Sequence, residues 1–356
     1  MPLFGHPDIS KLKSQKDVRS LIKVLKVNDA HQRRLAVAAL GDIKDALAVE
    51  PLIPMLNDKD WDVRCTAAQA LGKLGDPRAG VPLLVAMVEQ QDWRMPTVAE
   101  EALLSLGKPA VAPLIGVLNN SQTPLRVKAA EILGKLGVNS AVEPLINTLS
   151  NDEDALVRIR AAISLGRLGD IRATPSLIQA LNDQAPAGMW GRVYEYAVES
   201  LGQLGDSRAV EPLLPFLAMD NLIVRLKTVI ALGKIKDPHA VEALITALAD
   251  ESAEVRIDAT NALLAIGEHA GLLAAKARIR SMEHTVDELC VLLTNEKGYD
   301  QPRQETIQKA QDIGRLINAQ GGFELMQRIM NMVIKRMPFD YQRLSHWWHG
   351  IGSWRY

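Results

Sequence analysis

A unit of about thirty residues recurs eight times along this chain before residue 268, where the pattern ends. Two copies read AVEPLINTLSNDEDALVRIRAAISLGRLGD (141–170) and AVEPLLPFLAMDNLIVRLKTVIALGKIKD (209–237). A period of this size constrains the fold strongly. One such unit has apolar surface on two sides and cannot bury both alone, so the copies must stack into a quasi-one-dimensional array. In such an array the repeated positions build the stack. Positions that break the repeat are where a partner is met.

A Leu-Gly pair sets the register. Its glycines are Gly41, Gly72, Gly134, Gly166, Gly202 and Gly233, with Leu104 and Leu264 in their place in two copies. The spacings are 31, 32, 30, 32, 36, 31 and 31 residues. Nine or ten residues after this pair a proline opens a first helix, as in Pro144-Leu-Ile-Asn-Thr-Leu, where the missing N–H falls in the unpaired first turn. A short polar break follows, and then a second helix. In Val157–Leu168 an apolar stripe recurs at Val157, Ala161, Leu165 and Leu168. Gly137, Gly169 and Gly205 then stand where a left-handed residue ends a helix. Each unit is expected to be a helix hairpin, and no strand pattern competes with it. A glycine inside the second helix costs about 1 kcal/mol relative to alanine, so its recurrence implies a close helix contact. Paired alanines at 67–68, 129–130 and 161–162 point the same way.

These motifs resemble the HEAT-like repeats of the phycobilisome-lyase type: D-x5-R, then A-A-x-A-L-G-x-L-G-D-x-R-A-V-x-P-L. The resemblance covers residues 17 to 267. It implies an all-α fold, a right-handed α-solenoid with first helices on the convex side and second helices lining the concave side. Members are scaffolds, adaptors, lyase subunits and nucleic-acid binders, so the resemblance implies no single chemistry. The expected organisation is a solenoid over 1–267, a lead-in helix plus eight repeats, followed by a helical C-terminal cap with an aromatic tail over 268–356.

Hydrophobic residues make up 47% of the chain and aromatics only 4%, which suits helices packed through alanine and leucine. The net charge of −1 excludes a generally basic nucleic-acid binder but not a local patch. Cys65 and Cys290 are two isolated thiols within helical patterns, not a disulfide framework. The first residues, MPLFGHPDISKLKSQKD, lack the apolar core of a signal peptide, and no window is long and apolar enough for a membrane span. The expectation is a cytoplasmic protein.

Asp58/Arg64, Asp152/Arg158 and Asp250/Arg256 lie six residues apart, and Arg33, Arg126 and Arg225 fill the same arginine position. Recurrence at every level argues for a structural ladder, each Asp capping the second helix and accepting from an arginine of its own or the adjacent repeat. More selective are cations two and nine residues beyond the ladder arginine: Lys128/Lys135, Arg160/Arg167 and Lys227/Lys234, joined by Lys73. Seven residues is nearly two turns, so each pair shares a face, and by the resemblance that face lines the groove. Tyr196 and Gln203 interrupt the ribbon, while Glu131 and Glu199 dilute its field. The ribbon suits a protein partner with an acidic segment; solvation of an exposed helix face is the competing explanation, and nucleic acid is disfavoured.

Aromatics mark the irregular copies. Trp61 and Trp93 sit at the turn between helices in adjacent repeats, and Trp190 in the sixth. The third repeat has Pro96 where arginine belongs; the sixth has Tyr194 there, with Tyr196 nearby and about five extra residues around 184–191. Trp93, Trp190, Tyr194 and Tyr196 are therefore candidate rim contacts. The tail holds eight of the fifteen aromatic residues, with helices expected near 270–281, 284–294, 303–318 and 322–336. Trp347, Trp348 and Trp354 in the closing segment are read either as part of a cap or as a docking peptide.

No phosphate-binding loop, G-x-S-x-G or H-E-x-x-H occurs, and His346/His349 lack the companions a metal site needs. No catalytic residue, cofactor or metal is expected. The sequence thus points to a non-catalytic scaffold or adaptor that holds an acidic or extended segment in its groove. A bilin-lyase-like or chromophore-handling accessory subunit and an electrostatic nucleic-acid binder are the alternatives.

Overall fold

The computed structural model describes residues 7–89, 93–185, 191–267, 284–292 and 304–336, together with 344, 346, 348 and 349; residues 316–326 are described by their backbone alone. The chain divides into two compact units, Met1–Pro212 and Leu213–Tyr356. Among the described residues no strand element forms.

The first unit opens with α1 (Ile9–Ser14) and α2 (Val18–Val24). Its second helices are α3 (Ala30–Ile43), α5 (Trp61–Leu74), α7 (Met95–Leu106), α9 (Thr123–Leu136), α11 (Ala155–Leu168) and α13 (Val193–Leu204). Between them run the first helices α4 (Val49–Leu52), α6 (Gly80–Glu89), α8 (Val111–Val117), α10 (Val142–Asn151) and α12 (Thr174–Ala180). After α14 (Val210–Leu213), the second unit holds α15 (Leu222–Ile235), α16 (Val241–Ala247) and α17 (Ala253–Ile266). It also holds α18 over 284–292 and α19 (Gln304–Arg336).

Each hairpin follows from local chemistry. A 3-10 turn precedes the first helix, and an aspartate caps it: Asp45, Asp76, Asp170, Asp206 and Asp237 each accept from the backbone N–H two residues on. Pro144 falls in the first turn of α10, as its missing N–H requires. Where a second proline follows three residues later, the helix is cut short: Pro54 turns the continuation of α4 into a 3-10 segment, Ile53–Asn57.

The stack depends on the Leu-Gly register. A Cβ placed on Gly72 would lie 2.8 Å from the Ala102 carbonyl oxygen, and one on Gly134 would lie 2.8 Å from Ser164 Cα. The partner residue is small at each of these joints, and Ser164 and Ser200 add a bond of their own, donating to the carbonyls of Ala130 and Ala162 at 2.8 Å. One joint in the first unit departs from this rule. Leu104 replaces the glycine of α7, and Ile132 of α9 replaces the small partner. There α7 and α9 meet over far less of their length than α5–α7 or α9–α11 do, and Leu104 is left exposed. Two bulky residues cannot occupy a contact made for a glycine and an alanine.

In the second unit Val286, Leu289, Ala310, Ile329, Met330, Val333, Leu344 and Trp348 form a core distinct in kind from the alanine-rich repeats. Two helices were expected over 303–318 and 322–336; the structure has one, α19. Gly321 and Gly322 each cost only about 1 kcal/mol in a helix interior, too little to end one without a proline. The helix expected at 270–281 lies outside the described residues.

Candidate partner-binding surface

The ladder arginines build one edge of the repeats. Arg33 donates from Nε and Nη2 to Asp58 at 2.8 and 2.7 Å, and from Nη1 to the carbonyls of Val27 and Asn28 in its own loop. Arg126–Asp152, Arg158–Asp183 and Arg225–Asp250 repeat the geometry. The rung therefore runs to the next repeat. The arginine of the same repeat reaches only the aspartate's backbone, as Arg64 does with the Asp58 carbonyl at 2.8 Å. The expectation that this aspartate caps the second helix is corrected. Asp60 and Asp154, two residues further on, accept from the first helical N–H groups, while Asp58 and Asp152 receive the N–H of those capping residues. A carboxylate turned toward a guanidinium 25 or 26 residues away cannot also face its own helix end. Where the third repeat loses its arginine to Pro96, Asn120 stands in the aspartate's register.

A second set of arginines serves the opposite ends of the hairpins. Arg78, Arg172 and Arg208 each grip the aspartate two residues before them, and Arg78 and Arg172 also reach Glu50 and Glu143 of the preceding repeat. These cations are committed to structure.

The exposed faces of the second helices carry the predicted ribbon, and the structure sorts its members. Lys73 pairs with Asp42 at 2.9 Å, which Lys13 also holds at 2.7 Å. On α9, Glu131 sits three residues after Lys128 and four before Lys135, and takes both at 3.0 and 2.8 Å; Lys135 also reaches Glu100 of α7 at 2.5 Å. Burial works against the charge on Glu131, yet its hydrogen bonds to Lys135 and Lys128 bring the carboxyl down to about 2. The cations of α9 are thus largely neutralised within the fold. On α11 the middle position is Ile163, not glutamate, between half-buried Arg160 and exposed Arg167. In the second unit α15 has the same arrangement, with Ile230 between half-buried Lys227 and exposed Lys234. Among the described residues Arg167 and Lys234 form no ion pair. Tyr196 is half-buried on α13.

At the rim, Trp61 and Trp93 are brought together by a residue the sequence did not single out. The Arg94 guanidinium lies 4.1 Å from the Trp61 ring centroid and 5.7 Å from that of Trp93, with Arg64 5.4 Å from Trp61 on its own helix. Trp61 is half-buried at the start of α5, whereas Trp93 is 82% exposed. In the sixth repeat Arg192 stands 6.0 Å over the Tyr194 ring. Trp190, Trp347 and Trp354 lie outside the described residues. Trp348 is fully buried, and its indole N–H donates to the Ala310 carbonyl of α19 at 2.7 Å. It is an anchor of the C-terminal core and is not offered to a partner. His346 and His349 are exposed one turn apart, and no cluster of three or more metal-ligating side chains forms among the described residues. No described helix is long and apolar enough to cross a membrane.

Helix hairpins stacked second helix on second helix, with an inter-repeat arginine ladder, define an α-solenoid. The HEAT repeat family matches residues 18–104, 111–188 and 191–287, and the chain belongs to that family. Among solved structures it is similar to the karyopherin Kap121p bound to the extreme C-terminus of the protein phosphatase Cdc14p. That match is 14% identical, covers 95% of this chain and 42% of the karyopherin, and has a TM-score of 0.52. It is a likeness of fold. Human deoxyhypusine hydroxylase is 24% identical over 72% of this chain and 88% of its own, with a TM-score of 0.32. The CpcE–CpcF complex of phycocyanin lyase from a Nostoc species is 22% identical over 75% and 98%, with a TM-score of 0.30. No curated protein matches the chain.

Proposed function

We propose that this chain is a non-catalytic cytoplasmic adaptor that holds an acidic protein segment on the exposed faces of its second helices. The observation that carries the reading is the side chain between the cations. Ile163 on α11 stands where Glu131 on α9 neutralises Lys128 and Lys135, and the exposed Arg167 that follows it forms no ion pair among the described residues. The exposed indole of Trp93 and the Arg192–Tyr194 contact add specificity at the irregular repeats. The lysine pair of α9 contributes little, because its charge is already spent on Glu131 and Glu100.

The test is binding of a labelled polyglutamate peptide to the full chain. Arg160→Glu with Arg167→Glu abolishes binding, while Lys128→Gln with Lys135→Gln leaves it nearly unchanged. Equal loss in both variants, or binding by neither the parent nor the variants, sinks the reading. Nucleic acid stays the weaker reading, since the exposed cations lie in isolated pairs among carboxylates; steeply salt-dependent capture of random-sequence DNA by the parent chain reverses that judgement. The chromophore-handling reading rests on repeat type alone, and a tetrapyrrole titration with no change in visible absorbance removes it.

A further inference from the structure

The interface between the third repeat (α6, α7) and the fourth (α8, α9) lacks the ties that hold its neighbours. The glycine joint is gone, since Leu104 and Ile132 stand where Gly134 and Ser164 interlock one repeat later. The ladder rung is gone as well. Pro96 has no donor to offer, and Asn120 turns its side-chain oxygen to the N–H of Gln122. The clasp at the opposite ends of the hairpins is also lost. Arg78 grips Asp76 and reaches Glu50 across the preceding interface, and Arg172 does the same with Asp170 and Glu143. Here the corresponding places hold Pro109, Gly107 and Val81, none of which carries a charge. The interface that follows, between α9 and α11, misses only the clasp: it keeps Gly134 against Ser164 and Arg126 on Asp152.

What remains differs between the two layers of helices. Among the first helices the packing is close: a Cβ on Gly80 would lie 3.3 Å from Cβ of Pro113 and 3.6 Å from Cα of Ala110. Helix α9 also leans on α6, and Ile132 is fully buried. Between the second helices an ion pair crosses, Lys135 to Glu100 at 2.5 Å, with both side chains partly exposed. Such a pair is a weak tie that salt screens, unlike the buried two-pronged rungs. The chain itself turns at Gly107, φ 69° and ψ −138°, away from the left-handed cap that Gly75 and Gly137 adopt at ψ 18° and 30°. Glycine enters that region where other residues do not, so α7 is linked to α8 through a residue of wide backbone freedom.

We infer that α7 and α9 form an opening joint. The first-helix side is the pivot, the second helices part and close, and Glu100–Lys135 latches the closed state. A hinge needs a few residues that absorb backbone rotation and an interface weaker than those around it. Gly107 and the untied contact of α7 with α9 supply both. Opening uncovers Ile132, which keeps the closed form dominant and makes the open one a minor state. The movement changes the angle between the exposed faces of α5 and α11, which lie on either side of the joint. The first unit thereby adjusts its second-helix face to a bound segment while the repeats on each side stay rigid.

The experiment places spin labels in the full chain, with Cys65→Ala and Cys290→Ala removing the native thiols, and reads distance distributions by double electron–electron resonance. One pair, Gln69→Cys with Gln203→Cys, spans the joint. The other, Gln122→Cys with Gln203→Cys, lies wholly on its far side, and all three positions are exposed. The spanning pair should show a minor longer-distance population that the control pair lacks. Lys135→Gln should raise that population several-fold, and so should salt at about 1 M, where the Debye length is about 3 Å. Lys128→Gln should not, because Lys128 pairs with Glu131 of its own helix. The control pair and the far-ultraviolet dichroism should stay unchanged throughout. One narrow distribution that neither Lys135→Gln nor salt alters overturns the joint. Equal broadening of both pairs overturns it too, since that is a general loosening. An effect of Lys128→Gln as large as that of Lys135→Gln removes Glu100 as the latch. The salt arm needs no substitution at the latch, so it decides the question even where Lys135→Gln folds poorly.

Discussion

Arg126 grips Asp152 of the following repeat side-on, Nε to Oδ2 at 2.8 Å and Nη2 to Oδ1 at 3.0 Å, with both side chains buried. Its third nitrogen, Nη1, donates to the Asn120 carbonyl of its own loop. One guanidinium thus fixes a loop and ties it to the next hairpin. Removing one partner leaves a buried charge uncompensated. Arg126→Ala is expected to destabilise the first unit by about 3–5 kcal/mol, measured as a fall in the urea midpoint. A replacement that removes both charges, Arg126→Met with Asp152→Leu, should recover most of the loss.

The same ladder gives the chain an acid limit. Burial alone would raise the carboxyls of Asp58 and Asp183, but Arg33 and Arg158 outweigh it and hold both below the usual carboxylate range. The carboxyl of Glu131, held by Lys135 and Lys128, is brought down to about 2. For a group depressed in the folded state, the stabilisation is complete above the unfolded value of about 4 and is lost as pH falls through the folded value. The melting temperature should be flat near neutrality and drop steeply below about pH 4. Asp183→Asn lowers stability at pH 7 but makes the acid limb shallower, and an unchanged limb would count against the ladder as its source.

The two kinds of joint predict opposite responses to the same exchange. At Gly134 a side chain would run into Ser164 and the bond it donates to Ala130. Gly134→Leu should cost about 3 kcal/mol or more through overpacking, and deuterium exchange should quicken in α9 and α11. At Leu104 the counterpart is already Ile132 and the side chain is exposed. Leu104→Gly should cost only about 1 kcal/mol, its helix-propensity penalty.

Much of this architecture was legible in the chain. The Leu-Gly spacing located every second helix, because a contact between backbones leaves a mark at one position per repeat. Pro144 and its equivalents likewise placed the first helices, since a missing N–H is a local fact. What the spacing could not convey was partnership across repeats. Glu131 was visible between its lysines, at three and four residues, but Glu100 reaches Lys135 from 35 positions away. Nothing local in the sequence says that Arg94 will lie over the ring of Trp61. The crowd of aromatic residues in the tail suits a cap and a docking peptide alike, and only the core formed by α18 and α19 shows Trp348 buried. The exposure of Ile223 and Ile230 was hidden for the same reason: an apolar stripe looks alike whether or not something covers it.

Lys236 ends α15 in the left-handed region, φ 60°, with its N–H on the Leu232 carbonyl. Gly75, Gly137, Gly169 and Gly205 occupy this place in other repeats. A side chain there carries a penalty of about 1–2 kcal/mol, partly offset because glycine loses more backbone freedom on folding. Lys236→Gly should therefore stabilise the second unit by up to about 1 kcal/mol, seen as a raised urea midpoint. A lower midpoint would mean that the lysine makes a compensating contact.

The residue between the cations can be exchanged to ask whether it controls binding. Glu131→Ile gives α9 the pattern of α11 and α15, and it removes the carboxylate that Lys128 and Lys135 share. Lys135 keeps Glu100, so Lys128 is the cation most completely released. The carboxyl of Glu131 is held at about 2 by these lysines, so losing it also removes a favourable contact, and stability should fall by about 1 kcal/mol for a partly exposed network. Affinity should move the other way. The variant is expected to bind the polyglutamate peptide several-fold more tightly than the parent, with a steeper salt dependence from the added cation. Glu131→Gln frees the same charge without adding apolar surface and should gain for polyglutamate to a similar extent. If both substitutions leave binding where it was, the exposed face of α9 takes no part in holding the acidic segment.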